Sequence, residues 1–280
     1  MLKINQLFMN LLSKIVLAVV FVLLSVPMEA KSYVNKIDTL GIIFKYDKKK
    51  RTAAVDSAYN IGLDATIPQY VVGDKGKKYE VESLGYMSFS RMPIEHLTLS
   101  LPGSISIIGF GSFYTSNIKS ITINGFLSDI HDRAFHDSRS LERLYIQPVE
   151  SVGNLAFMGC ESLKEITFLS RVKKIGDLAF YGCESIELLD MPDCLSELGK
   201  CAFAYCSNLK RIRFSRSLSI LRGRTFYNCT SLTEIDLPDN IKKVCKNAFE
   251  GCKKLTKVRA SKNTVIEERA FPSNVEIEYY

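Results

Sequence analysis

The chain has little of what catalysis or metal binding usually requires. Its only histidines are His96, His131 and His136, and His131 and His136 stand five apart, which is not a helical ligand spacing. No two of its eight cysteines form a C-x-x-C pair, no serine sits in a G-x-S-x-G elbow, and no repeat places a cysteine beside a histidine. The usual settings for a metal centre or an activated nucleophile are therefore missing. The glycines are scattered rather than grouped, which excludes a phosphate-cradling loop. No cofactor, no metal and no enzymatic activity are expected. Linkers and low-complexity stretches are also lacking, and the formal charge of +7 is mild. Without a concentration of basic and aromatic residues, that charge does not describe a nucleic-acid groove.

Long apolar runs are absent too. Ile15 to Leu24 is unbroken, but it falls well short of the roughly 20 residues that a membrane span needs. Lys3 and Lys14 precede it, and Pro27, Met28, Glu29 and Ala30 follow, so residues 1–30 read as a signal peptide. A transmembrane anchor is the competing reading. No cysteine follows the run to accept a lipid. The chain is expected to be exported, to the periplasm, the cell surface or the medium, with no membrane span after cleavage. Loss of Lys3, Lys14 and Glu29 lowers the formal charge by one from +7.

What the chain does have is phenylalanine at nearly fixed intervals. Phe89, Phe113, Phe135, Phe157, Phe180, Phe203, Phe226, Phe249 and Phe271 follow one another in steps of 22 to 24 residues. Ala precedes the Phe at 134, 156, 179, 202, 248 and 270, and Cys follows three residues later at 160, 183, 206, 229 and 252. Next comes an L-x-x-I-x-L stretch, as in Leu232, Ile235 and Leu237, closed by Pro238. Its last part alternates with period two, which predicts a half-buried strand. Pro ends it because proline cannot donate to a ladder. A unit this small cannot bury its own apolar side, so stability has to come from stacking neighbours into one continuous core.

A period inside the range of 20 to 29 residues with L-x-x-L-x-L spacing is the leucine-rich repeat signature. The segments IGDLAFYGCESIELLDMP (175–192) and VCKNAFEGCKKLTKV (244–258) resemble the BspA-like bacterial class, whose units carry A-F-x-x-C-x-x-L. The likeness covers residues 82–280. Early units depart from it: Ser replaces Ala at 88 and 112, and the Cys column is missing before Cys160. The expected fold is an α/β-type solenoid, with a parallel sheet on one face and short helical or turn segments on the other. Residues 31–81 alternate through Ile42, Phe44 and Tyr46, turn at Asp47 to Arg51, and predict a β-hairpin that caps the first coil. Val275, Ile277 and Tyr279 predict a last strand, its edge guarded by Glu276 and Glu278. The resemblance implies adhesion or binding at a bacterial surface. The alternative is a structural or assembly component of the envelope.

Five of the cysteines share one repeat position, about one strand spacing from each other (~4.8 Å). Stacked side chains point in parallel directions, whereas a disulfide needs its two bonds twisted by about a right angle, so a column of small buried thiols is expected. Bridging between neighbours is the alternative, and Cys194 and Cys201 flank one short segment where they could approach. His131 and His136 are expected in solvated loops, and Gly153, Gly176 and Gly199 read as turn glycines. On the sheet face two outward columns are predicted. One holds His96, Ser120, Arg143, Glu165, Leu188, Arg211, Glu234 and Lys257; the other holds Thr98, Thr122, Tyr145, Thr167, Asp190, Arg213, Asp236 and Arg259. Charges alternate in the last four of the second column and should satisfy one another. The candidate partner surface is therefore His96, Thr98, Ser120, Thr122, Arg143 and Tyr145, facing a protein or a glycan. A second candidate, for a polyanion such as a sulfated glycan, is the basic cluster Lys210, Arg211, Arg213, Arg216, Arg222 and Arg224.

Overall fold

A computed structural model describes residues 35–37, 41–58, 61, 64–93, 95–125 and 127–280. The expected signal peptide, residues 1–30, lies outside them. Strands β1 (Asn35–Ile37), β2 (Ile42–Asp47) and β3 (Thr52–Ala58) pair antiparallel in that order. Alternation along β2 and β3 buries Ile42, Phe44, Tyr46, Ala53 and Val55. Their turn is closed by the Asp47 carboxylate, which accepts from the backbone N–H of Lys49 at 2.9 Å and of Lys50 at 3.1 Å. β4 (Asp64–Thr66) follows, then the hairpin of β5 (Tyr70–Val72) with β6 (Lys78–Leu84). β6 lies parallel to β3. This N-terminal segment gives strands to both ladders of the repeats: β4 pairs with the first strand of one, and β6 with the first strand of the other.

All but one of the coils place a strand in a front sheet, and successive coils add a two-residue strand to a second ladder. The front strands are β7 (His96–Ser100), β9 (Ser120–Asn124), β11 (Arg143–Tyr145), β14 (Leu188–Asp190), β16 (Arg211–Arg213), β18 (Glu234–Asp236), β20 (Lys257–Ala260) and β22 (Glu276–Tyr279). The second ladder comprises β8 (Ile107–Ile108), β10 (Asp129–Ile130), β12 (Ser151–Val152), β13 (Lys174–Ile175), β15 (Glu197–Leu198), β17 (Ile220–Leu221), β19 (Lys243–Val244) and β21 (Val265–Ile266). Pairing among the repeats is parallel throughout.

The Phe arc joins the coils a third time. Phe135 donates its N–H to the carbonyl of Ala156, Phe157 to Ala179 and Phe180 to Ala202, each at 2.7 Å. Ring centroids along the column are 4.9 to 5.2 Å apart at seven of its eight steps, with the planes within 14° of parallel. Eight of the nine rings are fully buried, and Phe271 in the last coil is partly so. Full burial of one such side chain is worth about 1.5 to 3 kcal/mol.

The helical part of the α/β expectation does not hold. Among the described residues there is no α-helix, only 3-10 turns at Asp74–Gly76 and Thr167–Arg171. The fold is a β-solenoid. The physical reason lies on both sides of each Phe, where the backbone turns left-handed: Leu155 and Gly159 flank Phe157, and Leu178 and Gly182 flank Phe180, with φ between 56° and 73°. Two left-handed residues in five leave no run of right-handed residues to nucleate a helix.

The cysteine column lies inside this arc. Cys160, Cys183, Cys206, Cys229 and Cys252 are buried, and each thiol donates to the carbonyl of the Phe in the coil before, at 3.1 to 3.4 Å. Ser138 does the same to Phe113 at 2.7 Å, and Ser116 contacts Ser138 at 3.1 Å. In the coils of Phe113 and Phe135 the column therefore continues with serine, a small side chain that can also donate, and in the first coil the position is Met92.

Gly153, Gly176 and Gly199 are not turn glycines. None has a positive φ, and a Cβ at Gly176 or Gly199 would stand 2.6 or 2.3 Å from the backbone of the preceding coil. They are needed for close approach of one coil to the next.

The stack is interrupted at two places. After β11, the next coil makes the 3-10 turn Thr167–Arg171 in place of a front strand, so the front sheet ends at β11. A second interruption follows β15 and β16. There neither the front sheet nor the second ladder continues, and Phe203 and Phe226 are 5.9 Å apart. Phe214 is buried at this boundary and meets Phe226 edge-on, where the neighbouring repeats have Met191 and Leu237. Among the described residues the backbone bonds that remain here belong to the Phe arc: Cys201 N–H to the Gly223 carbonyl at 3.3 Å, Phe203 N–H to Thr225 at 2.9 Å and Tyr205 N–H to Tyr227 at 2.7 Å.

Candidate functional site on the front sheet

Parallel pairing in register puts equivalent residues side by side, so the outward columns are real rows. His96 faces Ser120 and Ser120 faces Arg143; Thr98 faces Thr122 and Thr122 faces Tyr145. All six candidate partner-binding residues thus share one face of the four-stranded sheet β11-β9-β7-β4. They are not without internal partners: His96 Nδ1 and Ser120 Oγ are 2.8 Å apart, and Arg143 Nε lies 3.7 Å from Glu165. Tyr145 is 49% exposed. With Arg143, Thr122, Gln147, Glu165 and Thr167 it lines a groove of about 300 Å³ where the sheet stops. Thr167, expected in the second column, lies in the 3-10 turn instead and forms the wall of this groove.

Farther along the face, charge is largely satisfied. Asp190 and Arg213 are ion-paired, and Arg213 also reaches Asp193 at 3.1 Å. Arg259 pairs with Asp236 at 3.3 Å and Glu278 at 3.8 Å, while Lys257 selects Glu278 at 2.9 Å rather than its register neighbour Glu234. The charge ladder does not run through all four of Asp190, Arg213, Asp236 and Arg259, because the second interruption separates Arg213 from Asp236.

The basic cluster is divided and mostly occupied. Lys210 pairs with Glu187 at 2.8 Å, Arg216 lies 3.8 Å from Asp193, and Arg224 sits over the ring of Tyr227 at 5.8 Å. Arg211 and Arg213 are on β16, whereas Arg222 and Arg224 follow β17 in the other ladder. Among the described residues only Arg211 and Arg222 of the six lack both an ion pair and a ring contact.

A second ladder escaped the reading of the sequence. The residue just before the front strand, or before the segment that replaces it, is Glu95, Lys119, Glu142, Lys164, Glu187 and Lys210 in successive coils, and the pairs meet at 2.8, 3.5 and 2.8 Å. Alternation of sign at the repeat period was the signal available. Glu95 is held below the usual carboxylate range by the hydrogen bond from Lys119, and Lys119 is raised by the same bond.

The histidines separate. His131 is exposed as expected, but His136 is partly buried, stacked on Tyr114 at 5.1 Å and 3.2 Å from Asp137. Among the described residues no group of three metal-ligating side chains converges. No described helix is long and apolar enough to cross a membrane.

Several solved structures are similar to this chain. A leucine-rich cell surface protein from Faecalibacterium prausnitzii A2-165 is 20% identical, with 88% of this chain and 94% of that one covered, at a TM-score of 0.41. The leucine-rich repeat protein of T. pallidum is 17% identical over 85% and 91% of the two chains, at 0.46. The pneumococcal vaccine antigen PcpA is 18% identical over 88% of each, at 0.37. No curated protein matches the chain. The family described as BspA type leucine rich repeat region matches in six copies over residues 77–163 and 150–278. That match spans well over half of the chain, which belongs to the BspA-type leucine-rich repeat family.

Proposed function

We propose that the chain is an exported, non-catalytic binding protein that presents the front sheet to a protein or glycan at a cell surface. Residues 1–30 act as the signal peptide and residues 31–81 as the cap of the solenoid, 82–280. The contact surface is the N-terminal half of the face: His96, Thr98, Ser120, Thr122, Arg143 and Tyr145. The observation that carries this reading is the groove at the end of the first front sheet, where Arg143 and a half-exposed Tyr145 stand together. Tyr and Arg are the residue types most often found as interface anchors. Membership of a family of bacterial surface repeats supports a protein-binding role. The test is an array of proteins and glycans probed with the purified chain, repeated with Arg143 and Tyr145 both changed to Ala. Ligands of the front face should be lost from the second array, and an unchanged pattern would place binding elsewhere.

A further inference from the structure

The N-terminal segment carries a concentration of positive charge that the front-face reading does not use. β3 and β6 run parallel, with Thr52 beside Glu80, so the turns that precede them lie side by side. The Glu80 N–H donates to the Arg51 carbonyl at 3.2 Å, which ties the two turns together. One turn supplies Lys48, Lys49, Lys50 and Arg51, the other Lys75, Lys77 and Lys78, and all seven are exposed.

None of the seven makes an ion pair with a described residue. That sets this edge apart from the repeats, where cations meet carboxylates across coils, as in Lys119 with Glu95, Lys173 with Glu150 and Lys243 with Glu267. The bordering acids are Asp47, Asp74, Glu80 and Glu82. The Asp47 carboxylate is engaged by backbone N–H groups, and Glu82 accepts from Thr52 at 3.0 Å. Seven cations against these four acids leave a formal excess of three positive charges.

Two further features define what it fits. Six of its seven cations are lysine, which acts as a compact point charge, rather than arginine, whose planar fork selects individual phosphate or sulfate groups. Beside it, edge strand β5 exposes Tyr70 (50%) and Val72 (44%), with Val72 directly opposite Lys78 in the pairing. Diffuse lysine charge next to an exposed tyrosine and an aliphatic side chain is the composition of a membrane-interface contact, in which tyrosine sits at headgroup level and clustered lysines meet anionic lipid. We propose that the paired turns 48–51 and 75–78, with Tyr70 and Val72, dock the protein onto an anionic phospholipid surface. This does not depend on the front-face reading.

The experiment is sedimentation of the full chain with vesicles of phosphatidylcholine alone and of phosphatidylcholine mixed with phosphatidylglycerol. Wild type is compared with a variant carrying all seven cations as Gln, with one carrying the six lysines as Arg, and with the two half-variants at 48–51 and at 75–78. Residues 1–30, with Lys3 and Lys14, are the same in every variant, so their contribution cancels when variants are compared on one vesicle type. The Gln variant should lose at least about tenfold in affinity for the anionic vesicles, each half-variant a fraction of that, and the Arg variant nothing. High salt should abolish the difference between vesicle types. Thermal melting of each variant checks the fold, and if the sevenfold change unfolds the chain the half-variants carry the result. Gln variants that bind anionic vesicles as wild type does would overturn the proposal. So would a wild type that ignores phosphatidylglycerol but is captured by a soluble sulfated polysaccharide.

Discussion

Cys183 donates its thiol to the carbonyl of Phe157, 3.1 Å away in the preceding coil. Each cysteine of the column repeats that bond to the Phe before it, so the thiols are packing groups with a fixed acceptor. Burial pushes the Cys160, Cys183, Cys206 and Cys229 thiols far above their ordinary range and suppresses the reactive thiolate.

Alkylation followed by mass measurement checks this. In the native protein, exposed Cys194 should react while Cys160, Cys183, Cys206, Cys229 and Cys252 do not. After denaturation without reductant, all five should appear as thiols. Bridges in chain order would make the protein a disulfide-stapled solenoid instead. Cys160→Ser should cost less than about 1.5 kcal/mol, because serine already serves at 116 and 138 and the bond exchanged is of that size.

Truncating the centre of the Phe column should be severe. Phe180→Ala removes a fully buried ring stacked on both sides at 5.0 Å, and the expected loss is about 3 to 5 kcal/mol in reversible denaturation. A loss under about 1 kcal/mol would contradict the stacked core.

Once a front-face ligand is in hand, changing Arg143 and Tyr145 together to Ala should weaken it by at least about 2 kcal/mol in a titration. Asp236→Ala should leave it bound. A ligand that instead needs Arg211 and Arg222, and is released by salt, would favour the basic cluster.

A double-mutant cycle on Asp236 and Arg259 should return a coupling of about 0.2 to 1 kcal/mol, shrinking in high salt. Both side chains are well exposed, so a larger value would mean that the rows of charge are structural supports rather than solvated neighbours.

Hydrogen exchange should find the second interruption. Cys245 N–H donates to the Leu221 carbonyl at 2.8 Å and Gly199 N–H to Ile175 at 2.9 Å. The equivalent amide of Arg222 has no such bond among the described residues and should exchange faster than both. Phe214→Leu, which removes the edge-on ring, should slow it.

Much of this was written in the sequence. Phe, Cys and the outward rows recur at the repeat period, and equal spacing in a parallel stack means adjacency in space. The partial burial of His136 was not legible, since it comes from stacking on Tyr114 one coil away. The absence of helix was hidden as well, because left-handed turns at Leu155 and Leu178 are carried by residues with no preference for them. The interruptions did leave a mark: the third apolar position of the front segment is Phe at 168 and 214, and neither repeat has the proline that follows at 148, 192 and 238.

In a linear array each unit draws its stability only from those on either side. The boundary at Phe203 and Phe226, held by one hydrogen-bonded arc in place of three, therefore limits how far unfolding spreads. Protection in hydrogen exchange is therefore expected to change in a step across this boundary, with β17 and β19 together on its C-terminal side.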